Sequence, residues 1–100
     1  MSQARQAEIV AEINRVIAGM IAAGGTPNLD RLTELNGEFR SAYMTTRSKD
    51  PRIAVSVAFA VQAYTMAFVA ASKAGASSAA ALGNLQVAAS ALARSIAGSG

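Results

Sequence analysis

Few side chains in this 100-residue chain could do chemistry. Glu34 and Glu38 lie one helical turn apart, so on a helix their carboxylates could share a proton or hold a cation. The chain has no histidine and no cysteine, which removes the usual general base and the usual transition-metal ligands. Because no third acid supports the pair, we expect both glutamates on a solvated helix face. We predict no enzyme activity, no catalytic residue, no metal site and no cofactor.

Four basic residues form the one concentration of positive charge, in a chain whose net charge is only +3. They are Arg40, Arg47, Lys49 and Arg52, with Tyr43 between the first two. Such a cluster could hold phosphates or lipid headgroups, and basic residues just before an apolar segment follow the positive-inside pattern of membrane proteins. We favour a solvated loop beside a helix terminus, because neither a glycine-rich loop nor a second aromatic accompanies the cluster. Nucleic-acid binding is therefore not expected.

A long apolar segment dominates the second half of the chain. From Ile53 to Ile96 the only charged side chains are Lys73 and Arg94. Such a segment has more apolar surface than a soluble monomer normally leaves in water. It therefore needs cover from the first half of the chain, from copies of the protein or from lipid. Alanine, about a quarter of all residues, favours helices but brings little hydrophobic surface, so the core must be thin.

Hydrophobic periodicity and helix-end signals predict four helices, over residues 3–23, 27–45, 52–73 and 77–97. The Gly24-Gly25 pair ends the first helix, because glycine readily adopts the left-handed conformation found after helix C-termini. The Thr26-Pro27 pair supplies the N-cap and first residue of the second, and the Ser77-Ser78 pair caps the fourth.

The third predicted helix is apolar on every side, which is typical of a helix at the centre of an assembly or in a membrane. It also contains a few groups that can form hydrogen bonds. They are Gln62, Tyr64, Thr65 and Ser72. These groups could line a pore or join helices, but Ser and Thr also bond to carbonyls of their own helix, so we favour ordinary packing.

The fourth predicted helix has one strong line of contact, which we call the seam. Its residues recur at alternating steps of three and four, as the a and d positions of a coiled coil do. They are Leu82, Leu85, Ala89, Leu92 and Ile96. The seam is either intramolecular core or a partner site, and we take it as a candidate for self-association. Gly83 is a sixth candidate, because glycine inside a helix costs about 1 kcal/mol and a close neighbour would justify it.

One segment of this helix resembles a known family. Ala81-Leu82-Gly83-Asn84-Leu85, followed by Ala88, Ser90, Ala91 and Leu92, is similar to the Gly-Asn-Leu helix of R-body structural subunits, the killing-trait proteins. Those are small, alanine-rich, helical bacterial proteins that polymerise into coiled ribbons. The resemblance implies a self-assembling bacterial protein and transfers no catalytic residue.

The sequence therefore predicts an all-α fold, one helical domain over residues 1–100 with two antiparallel hairpins. The hairpin over residues 3–46 is amphipathic, and the hairpin over residues 52–97 is apolar and alanine-rich. We expect a bundle that completes its core as a homo-oligomer. The predicted function is structural: a non-enzymatic subunit that buries its C-terminal hairpin against copies of itself.

The alternative function is a membrane-inserted hairpin, as in a small pore former or holin-like protein. Its support is two nearly uncharged blocks, each close to the roughly 20 residues that span a bilayer. Mixed polar and charged residues follow Met1, so no secretory signal peptide is expected. We predict a cytoplasmic location, with the inner membrane as the alternative, and we infer no small-molecule substrate.

Overall fold

The chain folds as four α-helices. The computed structural model describes residues 2–24, 29–45, 49–74 and 78–99. The helices are α1 (Ser2–Ala22), α2 (Leu29–Thr45), α3 (Pro51–Ala74) and α4 (Ala79–Ser99). The described residues contain no strand. The predicted all-α class is confirmed, and the predicted helix boundaries that fall within the described residues lie within two residues of the observed ones.

The end of α1 is set by a glycine, as predicted. Gly24 has a φ of 73°, a conformation that other residues rarely adopt, and its N–H donates to the carbonyl oxygen of Ile21 at 3.1 Å. This turn stops the helix and satisfies one of its last carbonyls. The predicted cap at Thr26-Pro27 lies outside the described residues.

The starts of α3 and α4 are set by side-chain caps. Asp50 Oδ1 accepts a hydrogen bond from the N–H of Arg52 at 2.9 Å, and Pro51 is the first residue of α3, where its missing N–H costs nothing. Ser78 Oγ accepts a hydrogen bond from the N–H of Ala81 at 3.3 Å, so the predicted serine cap of α4 is confirmed at Ser78. Ser77 lies outside the described residues.

The helices pack as two hairpins that meet through α1 and α4. α1 contacts both α2 and α4, and α3 contacts α4. Near the start of α1, Arg5 reaches Glu38 of α2 at 2.8 Å, and Gln6 Nε2 donates to the carbonyl oxygen of Ala42 near the end of α2 at 3.4 Å, so these helices run antiparallel. Ile53 at the start of α3 and Arg94 near the end of α4 line one shared cleft, which gives the second antiparallel pair. The contact between α2 and α3 is much weaker, so one side of the bundle is open.

The core lies mainly between α1 and α4, with smaller and equal contributions from α2 and α3. Burial of a large aliphatic or aromatic side chain contributes about 1.5–3 kcal/mol, so the residues with little exposed surface carry most of the stability. The buried apolar residues are Ile9, Val10, Ile13, Ile17, Met20, Leu32, Leu35, Phe39, Val57, Tyr64, Ala71, Leu82, Leu85, Ala89, Leu92 and Ile96. Five of them come from each of α1 and α4, which explains why these two helices form the centre of the molecule.

Asn14 links α1 to α4 through a polar contact inside this apolar interface. Its Nδ2 donates to the carbonyl oxygens of Val10 at 2.9 Å and of Ala89 at 3.2 Å. The hydroxyl of Ser90 donates to Asn14 Oδ1 at 3.4 Å. The amide group of Asn14 is therefore satisfied on both its donor and its acceptor side, as a polar group in an apolar contact must be.

Gly83 has no close neighbour among the described residues, so the predicted close contact is not made within one molecule. No atom lies within 4 Å of the position that a Cβ would take at Gly83. The physical reason is that α4 packs through the seam residues, and Gly83 lies beside that line. Only a contact with another molecule could still require the glycine.

We therefore expect Gly83→Ala to stabilise the protein by about 0.5–1 kcal/mol, because alanine loses less backbone entropy in a helix. Urea denaturation followed by circular dichroism measures this gain. Gly37→Ala in α2 is the matched control, since a Cβ there also meets nothing within 4 Å. If Gly83→Ala destabilised the protein while Gly37→Ala stabilised it, a second molecule would have to lie against Gly83.

Candidate functional site: the outer face and the aromatic groove of α3

Only one narrow line of α3 is fully buried, although other apolar residues of the helix pack against the core while partly exposed. Its buried residues are Val57, Tyr64 and Ala71, which follow one another at steps of seven. A step of seven brings a residue back to nearly the same side of a helix, so these three mark the side that faces inward. Large apolar side chains on the opposite side of α3 are exposed.

The exposed side of α3 carries a second apolar stripe, which we call the outer face. It consists of the apolar residues Val55, Phe59, Met66 and Val69, with the polar Gln62 at its middle. These residues follow at steps of four, three, four and three, which keeps them on one side of the helix. Val55, Phe59, Met66 and Val69 are 54%, 68%, 65% and 44% exposed. The sequence did not single out this stripe, because α3 is apolar in every direction.

The outer face is unusual for a soluble monomer. The most apolar 18-residue window of α3 has a mean hydropathy of 1.8, yet only 11% of that window is buried. The core helix of a soluble protein with such hydropathy would be mostly buried. Contiguous exposed apolar surface marks a site of contact with another molecule or with lipid.

A second feature of α3 is a groove between it and α2, which we call the aromatic groove. It has a volume of about 670 Å³. It is lined by Thr33, Asn36, Gly37, Phe39, Arg40, Tyr43 and Met44 of α2 and by Val61, Tyr64, Thr65, Phe68 and Val69 of α3. Four of the five aromatic residues of the chain are in this lining, and only Phe59 is elsewhere. The groove occupies the open side of the bundle, where α2 and α3 fail to pack closely.

One hydrogen bond crosses the groove from α3 to α2. The hydroxyl of Tyr64, a residue only 4% exposed, donates to Asn36 Oδ1 at 2.6 Å. Burial raises the pKa of the Tyr64 phenol above its ordinary value of 10.0, and the hydrogen bond to Asn36 offsets part of that rise. The phenol therefore stays protonated in the folded protein under conditions that ionise it in the unfolded chain.

This raised pKa predicts a loss of stability in alkali. Below the unfolded pKa of 10.0 the phenol is neutral in both states and stability is fully retained, whereas above it only the unfolded chain ionises and stability falls. In Tyr64→Phe the free energy of unfolding should fall less steeply in alkali, because the buried phenol is gone. At neutral pH the variant should be less stable than the parent by about 1 kcal/mol, because the hydrogen bond to Asn36 is lost. Urea titrations at several pH values on either side of 10.0 measure both effects.

Tyr43→Phe is the control for this prediction, because it removes a phenol from the same groove and retains the buried one. It should keep the alkaline loss of the parent. An equal alkaline loss in Tyr64→Phe and in the parent would mean that another group is responsible.

The seam on α4 lies inside the chain's own core. Leu82, Leu85, Ala89, Leu92 and Ile96 are each at most 2% exposed. Of the two readings of the seam, the structure places it as intramolecular core, covered by α1 and α3. Another copy of the protein cannot reach these side chains without opening the bundle, so they are not an accessible surface of this fold. Val87, on a different side of α4, is 68% exposed.

The paired glutamates lie on the solvated side of α2, beside arginines. Glu38 Oε1 is 2.8 Å from Nη2 of Arg5, and Glu34 Oε1 is 3.3 Å from Nη1 of Arg31. All four side chains are well exposed, so these ion pairs contribute little to stability. Among the described residues, no group of three or more potential metal ligands comes together.

The basic residues are placed at different points around α3. Arg40 is exposed and lines the aromatic groove. Arg52 is in the first turn of α3 and Lys49 precedes it, both exposed. Arg47 lies outside the described residues. From Pro51 onward every charged residue is basic, because all six acidic residues of the chain precede it.

The polar groups of α3 have ordinary structural roles or are exposed to solvent. Thr65 Oγ1 donates to the carbonyl oxygen of Val61 in its own helix at 2.8 Å, as expected for a threonine inside a helix. Gln62 and Ser72 are exposed. Tyr64 differs from these residues, because its hydroxyl joins α3 to α2 through Asn36.

Comparisons with protein-family models, with curated proteins and with solved structures find no match for this chain. The similarity of residues 81–92 to R-body subunits therefore stays a prediction.

Proposed function

We propose that this protein is a non-enzymatic structural subunit that covers its C-terminal hairpin with copies of itself. The observation that carries the proposal is the outer face of α3, an apolar stripe that the fold leaves in water. The seam on α4 was the first candidate for this contact. Because the seam is buried within the chain, the proposal assigns self-association to the outer face instead.

Burial of the outer face against a second molecule would lower the free energy of the assembly. Four large apolar side chains on it are between 44% and 68% exposed. Full burial of one such side chain contributes about 1.5–3 kcal/mol, so covering the stripe would contribute several kcal/mol to association. Alanines between the large residues would let a second helix approach closely.

The stripe is also complementary to itself. Val55 and Val69 each lie seven residues from Gln62, and Phe59 and Met66 lie three and four residues from it. In an antiparallel pair of α3 helices centred on Gln62, valine meets valine, and Phe59 lies within one residue, about 1.5 Å along the axis, of the level of Met66 of the other copy. Sulfur–aromatic contacts are favourable, and the two Gln62 amides could bond to each other. A second copy of this chain therefore fits the outer face without leaving a large residue unmatched.

The test is the double variant Phe59→Lys/Met66→Lys, studied without detergent by light scattering. We expect the parent to have a mass above the 10.2 kDa of one chain and the variant to have the mass of one chain. Burying four unpaired ammonium groups in a dimer would cost far more than the stripe contributes. Helicity should be unchanged, because both positions are exposed within one molecule.

Ala11→Lys/Ala18→Lys is the matched control. These positions are exposed on α1 and are also seven residues apart, so the same charge is added with the same spacing. This control should keep the mass of the parent. A parent that has the mass of one chain at all concentrations, or a Phe59→Lys/Met66→Lys variant that remains associated, would contradict the proposal.

The second candidate function is insertion of α3 into a membrane, and one observation favours it. Among the described helices, α3 is the one long and apolar enough to cross a bilayer. Its 24 residues span about 36 Å at 1.5 Å per residue, compared with about 30 Å of hydrocarbon. Arg52 and Lys73 lie near its two ends, where charged side chains can reach the interfaces. This observation supports insertion of α3 and does not extend to α4, the other helix of the predicted membrane hairpin.

Lys73→Cys separates the two candidates, because the parent has no cysteine. A membrane-impermeant thiol reagent is applied to intact cells, and the cell fractions are then compared. Self-association in water predicts labelling only after lysis, in the supernatant. Labelling of intact cells, with the protein in a pellet that resists carbonate extraction, would establish insertion and overturn the proposed function.

A further inference from the structure

We propose that the aromatic groove between α2 and α3 binds a planar aromatic carboxylate. This inference does not rest on the proposed function, because the groove and the outer face are different surfaces of α3 that share only Val69. The volume of about 670 Å³ lies within the range of roughly 300–1,000 Å³ that is typical of small-molecule sites.

The two walls of the groove present aromatic side chains. On α2, Phe39 and Tyr43 stack with ring centroids 5.8 Å apart and an interplanar angle of 12°. On α3, Tyr64 and Phe68 stack with centroids 6.5 Å apart and an angle of 26°. An aromatic ring that stacks on a ligand ring, or meets it edge to face, contributes about 0.5–1.5 kcal/mol to binding in addition to the hydrophobic contribution of the buried area. Phe39 and Tyr64 are each only 4% exposed and form the floor, whereas Tyr43 on α2 and Phe68 on α3 are partly exposed. A flat ring system between Tyr43 and Phe68 would find an aromatic partner on each side.

The charge of the groove selects an anion. Arg40 is the one charged residue in the lining, which contains no aspartate or glutamate. A guanidinium group can bind both oxygens of a carboxylate, which gives the strongest hydrogen bonds available to a protein side chain. The walls therefore favour an aromatic body, and Arg40 at the exposed rim favours a negative group at one end of it.

The shape of the groove leaves room for such a ligand. Gly37 lines the groove, and no atom lies within 4 Å of the position that its Cβ would take. The hydrogen bond from Tyr64 to Asn36 ties the two helices together at one point, so the groove has a fixed floor. The hydroxyl of Thr65 donates its hydrogen bond to the carbonyl oxygen of Val61 in its own helix, so it does not donate to the ligand.

The probe for this site is 2-naphthoate, compared with the neutral 2-naphthalenemethanol. The chain has no tryptophan, and its two tyrosines both line the groove, so tyrosine emission reports directly on a naphthalene ring bound there. We expect saturable quenching with one ligand per chain. The carboxylate should bind about tenfold more tightly than the alcohol, as one charged hydrogen-bonded contact would give.

Three variants decide the assignment. Arg40→Gln should remove the preference for the carboxylate and leave the alcohol unaffected. Gly37→Leu should fill the groove and abolish binding of both compounds, while circular dichroism confirms an intact fold, because leucine favours helices more than glycine does. The variant Phe59→Lys/Met66→Lys should bind like the parent, since it changes the outer face and not the groove.

The proposal is overturned by unsaturable quenching, by equal affinity for the two compounds in the parent, or by unchanged binding in Gly37→Leu. Loss of quenching in Phe59→Lys/Met66→Lys would place the ligand on the outer face and would also overturn it. The proposed self-association fails independently, if the parent has the mass of one chain while it still binds 2-naphthoate.

Discussion

Leu85→Asp should unfold this protein. Leu85 has none of its surface exposed, and the substitution would bury an ionised carboxylate in the apolar core with no partner. Changes of this kind cost more than about 4 kcal/mol. A domain of this size has a total stability of about 5–15 kcal/mol, and the thin alanine-rich core favours the lower end. We expect circular dichroism to show loss of most helicity at room temperature, or a urea midpoint near zero.

Val87→Asp is the matched control, on the same helix two residues later. Val87 is 68% exposed, so the same charge there should change the free energy of unfolding by less than about 0.5 kcal/mol. The seam was a candidate for self-association on sequence grounds, and the pair of variants tests that reading too. If Leu85→Asp kept its helicity but lost mass by light scattering, the seam would be an interface between copies and not intramolecular core.

Asn14→Asp should destabilise the protein by about 1–3 kcal/mol, although it changes the side chain by one atom. Asn14 Nδ2 donates to the carbonyl oxygens of Val10 and Ala89, and a carboxylate in its place would face both oxygens without a proton to donate. The cost should shrink as pH falls from neutral toward about 4 and stay small below it, because the unfavourable site raises the pKa of this carboxyl above its unfolded value and the protonated acid can donate one of these bonds again. Urea denaturation at neutral and acid pH measures the difference.

Asn36→Asp is the control, because it makes the same chemical change at an acceptor. Asn36 uses its Oδ1 to accept from the hydroxyl of Tyr64, and a carboxylate oxygen can accept the same bond. This variant should be close to the parent in stability at neutral pH. A loss in Asn36→Asp equal to that in Asn14→Asp would show that added charge alone, and not the direction of the hydrogen bond, sets the cost.

Much of the fold could be predicted because its signals are local. Gly24, Pro51 and Ser78 mark helix ends through their own backbone or side-chain chemistry, and each of them has that role in the structure. The seam on α4 could be found because small or polar residues surround its larger ones, so the line of contact is visible in the spacing. Short connections then lead to the two antiparallel hairpins.

The candidate site could not be predicted, because it depends on which helix is left without a neighbour. In α3 the inner line through Val57 and Tyr64 and the outer face through Phe59 and Met66 are both apolar and both have helical spacing. Periodicity cannot choose between them. A weak signal for the groove was present, since both α2 and α3 have two aromatic residues four positions apart. Nothing in the sequence indicated that those two pairs would line the same groove.

The position of the outer face on a single helix at the edge of the bundle limits the symmetry of any assembly. A stripe that matches itself in antiparallel orientation forms an isologous contact, and such a contact closes into a two-fold dimer with no free surface left for growth. An open assembly such as a ribbon therefore needs a second, different contact on each subunit. The exposed Val87 on α4 lies away from the seam and is a starting point for locating one.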